Sequence, residues 1–133
     1  MKPFVMNPKM LTMGGAFYPK GYALIMFANE DDLNQVANEL EKQAPPFEET
    51  MHLTPQDILS KLAGAHGESD VPMPSVGTEG RTVQRFAELA RQGHHGLMIH
   101  APSDEDMERA MEFVRRVPYA YGQKYHLLAI EDL

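Results

Sequence analysis

The stretch Ala23-Leu24-Ile25-Met26-Phe27-Ala28-Asn29-Glu30-Asp31-Asp32-Leu33 decides the fold. Its first six residues are continuously apolar, the pattern of a buried central strand. Asn29 is a good helix N-cap, and the three acidic residues after it fall on the first helical turn, where the helix dipole favours negative charge. The stripe Leu33, Val36, Ala37, Leu40 carries the helix to about Lys42. Pro45-Pro46 stops it, and Phe47–Leu53 reads as a second strand whose polar–apolar mixing suits a position near an edge.

A shift of 74 positions finds the same order of devices again: Leu24 falls on Met98, Ile25 on Ile99, Leu33 on Met107, Ala37 on Met111 and Leu40 on Val114. Strand Gly96–Ala101 leads into the N-cap Ser103, three acidic residues and a second amphipathic helix ending near Arg115-Arg116. Both caps carry an acidic residue three positions on (Asn29 with Asp32, Ser103 with Asp106), which echoes a capping box. With the register continued, Phe47 meets Tyr121 and His52 meets His126. Two β-α-β repeats, about 23–53 and 97–127, predict an α+β chain built as a ferredoxin-like plait. Such a plait is a four-stranded antiparallel sheet with its helices on one side. Its other face would stay open for a second subunit or a ligand.

At 133 residues the chain is expected to form a single domain over 1–133. No apolar run reaches the roughly 20 residues that cross a bilayer. The opening residues, broken by Pro3 and Pro8, lack a secretory apolar core, so no membrane association and a cytoplasmic location are expected. The absence of cysteine removes disulfides, thiolate nucleophiles and cysteine metal sites. A net charge of −7, with 12 scattered Lys and Arg, argues against nucleic acid as a partner.

The arm 1–22 is rich in Phe4, Val5, Met10, Leu11, Phe17 and Tyr18. It packs either on its own domain or on a second subunit, and the latter option makes a homodimer the expected state. Between the repeats, residues 54–93 form an insertion. Thr54 as N-cap and Pro55 at the first helical position open a short helix to about Leu62. A Gly/Pro/Ser-rich loop follows from Ala63 to Gly77, and a helix over Thr78–Gln92 stops at Gly93.

The strongest local candidate for a site is Pro74-Ser75-Val76-Gly77-Thr78-Glu79-Gly80-Arg81. Free N–H groups at a helix start, the hydroxyls of Ser75 and Thr78, the open backbone of Gly77 and the guanidinium of Arg81 together suit a small anionic ligand. The spacing matches neither a Walker loop nor a dinucleotide fingerprint. Among the six histidines none shows the i, i+4 spacing of a zinc helix, so no metal site and no cofactor are expected. The acidic clusters at Glu30–Asp32 and Asp104–Asp106 are explained as solvated helix caps. His94, His95 and His100 remain as candidate acid–base or pocket residues, and no catalytic residue is assigned.

The string Gly14-Gly15-Ala16-Phe17-Tyr18-Pro19-Lys20-Gly21-Tyr22 resembles the start of a family of small, functionally uncharacterised proteobacterial proteins. Pro74–Glu79, Gly93-His94-His95, Gln123-Lys124-Tyr125 and Ile130-Glu131-Asp132-Leu133 resemble the same family. The resemblance covers most of the chain beyond residue 13. It implies membership and brings no activity and no site residues with it. The expected function is a non-catalytic small-ligand-binding or protein-interaction module acting as a homodimer. The rival expectation is a small plait-fold enzyme with a histidine-lined pocket over the open sheet face.

Overall fold

In the computed structural model the described residues are 1–6, 8–11, 17–45, 47, 49–62, 77–126 and 130–133, with 77–80 described by backbone alone. The chain is α+β, and its described residues form a mixed six-stranded sheet and four α-helices. Strand β1 (Lys2–Pro3) opens it, then β2 (Tyr22–Phe27), helix α1 (Glu30–Glu41) and β3 (Thr50–Leu53). Helix α2 (Pro55–Asp57) runs on into a π-helical turn, Ile58–Leu62. Helix α3 (Gly77–Arg91), β4 (His95–His100), α4 (Asp104–Val114), β5 (Tyr121–Tyr125) and β6 (Ile130–Asp132) complete the order. The strands lie side by side as β1-β3-β4-β2-β5-β6; among the described strands only β1 runs parallel to its neighbour.

The caps follow local chemistry. The Asn29 side chain accepts from the Asp31 N–H at 2.8 Å, and that of Ser103 from the Asp106 N–H at 3.0 Å. The reciprocal capping box forms elsewhere, at α2: Thr54 Oγ1 accepts from the Asp57 N–H and Asp57 Oδ2 from the Thr54 N–H, both at 3.1 Å. Gly93, at φ 91°, ends α3. Its N–H reaches the Ala90 carbonyl while the His94 N–H reaches that of Leu89, a Schellman pair that turns the chain into β4.

Alternating side chains divide the core into two layers. Ala23, Ile25, Phe27, Leu97 and Ile99 face α1 and α4, meeting Leu33, Val36, Leu40, Met107, Met111 and Val114. Leu24, Met26, Met51, Leu53, Met98 and Tyr125 face the other way. That second face is not open, which corrects the expectation of an exposed sheet. Phe86, Val83 and Leu89 of α3, Ile58 and Leu62 of the π-helical turn, and Phe4, Met10 and Phe17 of the N-terminal arm cover it. The arm therefore packs on its own domain. Phe4 and Phe17 meet edge-on at 6.5 Å, Phe17 and Tyr125 at 6.0 Å, and the Phe4 N–H donates to the His52 carbonyl. Apolar residues this large are held by burial, and the arm supplies the area that four short strands leave bare.

The ladder also corrects the register of the second strands. The expected shift sets Ile25 with Ile99, 74 positions on, but the residues opposite them, Gly122 and Thr50, are separated by 72. On the expected shift the ladder therefore sets His52 with Lys124 rather than with His126, which lies beyond the end of β5. The expected strand Phe47–Leu53 shortens to Thr50–Leu53 because Phe47 turns back, its N–H donating to the Leu40 carbonyl. At Gly122 an added Cβ would come 2.9 Å from Ile25 Cδ1 and 3.3 Å from Leu133 Cβ, so the terminal segment packs where only a hydrogen fits. Among the described residues no helix is long and apolar enough to cross a membrane.

Candidate functional site

β4 carries chemistry at both ends. His95 and His100 begin and finish the strand, about 16 Å apart at the usual rise per residue. They do not converge. His94, half-buried at the junction with α3, has an Nδ1 shielded from solvent and without a hydrogen-bond partner among the described residues. The expectation of one histidine-lined pocket over an open sheet is corrected on both counts: the imidazoles separate, and the sheet face is filled by α3 and the arm.

At the His95 end, antiparallel pairing of β3 with β4 sets His52 opposite Leu97, so the His95 ring lies diagonally across from it on the same face. His52 Nε2 and His95 Nδ1 are 2.8 Å apart, one ring nitrogen donating to the other, with ring centroids at 5.0 Å. Glu30, the first residue of α1, brings a carboxylate oxygen to 4.0 Å from His95 Nε2. One ligand atom from each of the three lies within 4.8 Å of the others. Burial lowers the His52 pKa below its usual value, and the neighbouring His95 adds to that; Glu30 and Asp57 pull the other way. Asp57 itself is held low: the Thr54 backbone N–H and Lys61 outweigh the opposing effect of its burial.

At the His100 end, a depression of about 510 Å³ opens between the end of β4 and the first turns of α4. Phe47, Glu49, His100, Asp106 and Arg109 line it with Pro45 and Pro102. Arg109 is anchored from three sides: Nη2 donates to the Pro45 carbonyl at 2.7 Å, Nη1 approaches Asp106 at 3.3 Å, and the guanidinium lies 4.7 Å over the Phe47 ring. The Tyr22 hydroxyl donates to Glu49, and its ring packs against His100 at 4.8 Å. Burial together with the Glu49 carboxylate raises the Tyr22 pKa, so this phenol stays protonated. Nearby, the buried Lys124 ammonium donates to the Ala101 carbonyl, and burial lowers its pKa against the pull of Asp104, Asp106 and Glu131.

The anion cradle expected at the start of α3 lies largely outside the described side chains. Ser75 lies outside the described residues, Gly77 and Thr78 form the helix start by their backbone, and the Arg81 side chain is exposed. Sequence reasoning missed the Glu30–His52–His95 cluster because its histidines are 43 residues apart and meet only through strand register. It also explained Glu30 as a cap alone. No family model, curated protein or solved structure matches the chain.

Proposed function

We propose that this chain is a non-catalytic binding protein that holds a small polar molecule in the depression beside His100. The single observation that carries the reading is the composition of that wall. Arg109 and His100 supply donors, Glu49 and Asp106 supply acceptors, and Phe47 supplies an apolar surface, around a volume within the range of small-molecule sites. Arg109 is prepositioned by three partners, so little side-chain entropy is left to lose on binding. The ligand class is a molecule with a flat or apolar body and polar groups that both donate and accept. A purely anionic ligand is disfavoured by the two carboxylates.

The proposed scaffold is a duplicated ferredoxin-like plait. In its support, the inner strands run in the order β3-β4-β2-β5 with every neighbour antiparallel, and each β-α-β unit places its helix on the same sheet face. The homodimer is not carried into this proposal, because the arm that suggested it is used on the chain's own sheet.

Protein-observed amide NMR, with a library of small polar aromatics added to the isotope-labelled chain, tests the reading. Binders should shift the amides of Phe47, Glu49, His100, Asp106 and Arg109, and His100→Ala with Phe47→Ala should abolish binding. Binders mapping to another face, or none at millimolar concentration, would refute it.

A further inference from the structure

Three side chains from three elements meet where β3 ends and β4 begins. We propose that Glu30, His52 and His95 form a binding site for a divalent transition-metal ion. The donor set selects the class. Two imidazoles and one carboxylate suit zinc, cobalt, nickel, copper or ferrous iron, whereas calcium and magnesium favour shells made of oxygen.

Geometry supports the assignment. Metal–nitrogen bonds of about 2.0–2.1 Å place tetrahedral ligand atoms about 3.3 Å apart. The two imidazole nitrogens stand at 2.8 Å, so the rings need to open by only about half an ångström to admit an ion. The Glu30 oxygen stands at 4.0 Å from His95 Nε2, beyond hydrogen-bond range, so this carboxylate is not already bonded to the ring. Nε2 is not the His95 nitrogen that meets His52; one ligand atom from each of the three residues lies within 4.8 Å of the others, so the carboxylate has to close by at most about 1.5 Å to reach about 3.3 Å.

The supports differ usefully in stiffness. His52 and His95 are both half-buried, and their backbones are locked by the β3–β4 ladder. Glu30 is exposed on the first turn of α1 and has the freedom to swing inward. Asp57, the other carboxylate near His52, is engaged by Thr54 and Lys61 and is not counted as a ligand. Three protein donors leave at least one coordination position for water or for an atom of a bound molecule. This site lies at the opposite end of β4 from the depression and does not depend on it.

The test is calorimetric titration of the chelator-stripped full chain with zinc chloride, alongside visible absorption on adding cobalt(II). Wild type should take up one equivalent with micromolar or tighter affinity, and cobalt should give the intense visible bands of a low-coordinate site. His52→Gln and His95→Gln should each weaken zinc binding by on the order of 100-fold, since even outer-shell losses cost 10–100-fold. Glu30→Gln should weaken it by about 10-fold. Glu30 is exposed on a first turn, so that variant reports on the site even if a histidine variant misfolds. His126→Gln, which removes a separate imidazole paired with Glu131 at 2.7 Å, should change nothing. Wild-type binding no tighter than millimolar overturns the proposal. So does affinity that survives Glu30→Gln with His52→Gln, or that disappears with His126→Gln.

Discussion

Replacing Phe4 by alanine tests whether the N-terminal arm belongs to its own subunit. Phe4 is 2% exposed, sits edge-on to Phe17, and has the Lys61 ammonium 5.9 Å from its ring centroid. Burying such a ring is worth about 1.5–3 kcal/mol by transfer alone. The cavity left behind raises the usual cost of Phe→Ala to about 3–5 kcal/mol. The arm's first residues are tied to the sheet by the two residues of β1 and the Phe4 N–H, so part of it can lift to relieve the cavity. The lower end, about 3 kcal/mol, is therefore expected. In urea, with a slope of about 2 kcal/mol per molar, the midpoint should fall by about 1.5 M. The measurement is repeated across a hundredfold range of protein concentration. An intramolecular arm gives the same midpoint throughout. A loss below about 1 kcal/mol, or a midpoint that moves with concentration, would refute the packing argument and return the arm to a second subunit.

Other outcomes follow from single positions. Gly93→Ala places a side chain at φ 91° with no atom of the described residues beyond its chain neighbours within 4 Å of the new Cβ, so the cost is backbone strain, about 1–2 kcal/mol; urea melts should show it and Gly93→Asn should recover part. Thr54→Ala removes one half of the capping box and should cost about 1 kcal/mol by the same assay. Lys124 has a folded-state pKa below its unfolded 10.5, so between the two values the unfolded chain binds more protons and folding gains stability as pH rises. Its penalty is fully present below the folded value. Lys124→Met lacks this dependence, and the stability of wild type relative to Lys124→Met should rise toward alkaline pH; a flat difference from pH 7 to 10.5 contradicts the assignment. Taking the difference cancels Tyr22 and Tyr121, whose raised values instead erode stability above pH 10 in both proteins.

What was legible in the sequence is what a few adjacent residues decide. The caps at Asn29, Ser103 and Thr54 and the stop at Gly93 each depend on one side chain or one φ angle, and all four stand where the residues predict. The first strands and helices were legible for the same reason: their apolar periodicity is local. The second strands were not, because register depends on how much chain the connection consumes. Residues 42–49 lead from α1 to β3 and residues 115–120 lead from α4 to β5, so the ladder slips by two positions and pairs His52 with the place of Lys124. Strands β1 and β6, of two and three residues, are too short to show a period. The arm announced its hydrophobicity but not its target, since apolar burial is non-directional and names no partner.

The same reasoning explains why the two candidate sites escaped a reading based on residue type. His94, His95 and His100 looked like a set because they are close in sequence, yet a strand of six residues is the surest way to keep neighbours in sequence apart in space. Each end of β4 instead recruits from a different partner: β3 and the first turn of α1 at His95, the segment before β3 and the first turns of α4 at His100. Antiparallel pairing makes this division unavoidable, since the end of one strand meets the beginning of the next. At about 16 Å the two groups share no side chain, and energetic effects at such separations normally add. A bound ion at Glu30, His52 and His95 and a bound molecule beside Arg109 would therefore influence each other only through the strand that carries both. Any coupling between them would have to be transmitted by β4 moving as a unit within a ladder fixed on both sides, which favours two independent sites over one composite centre.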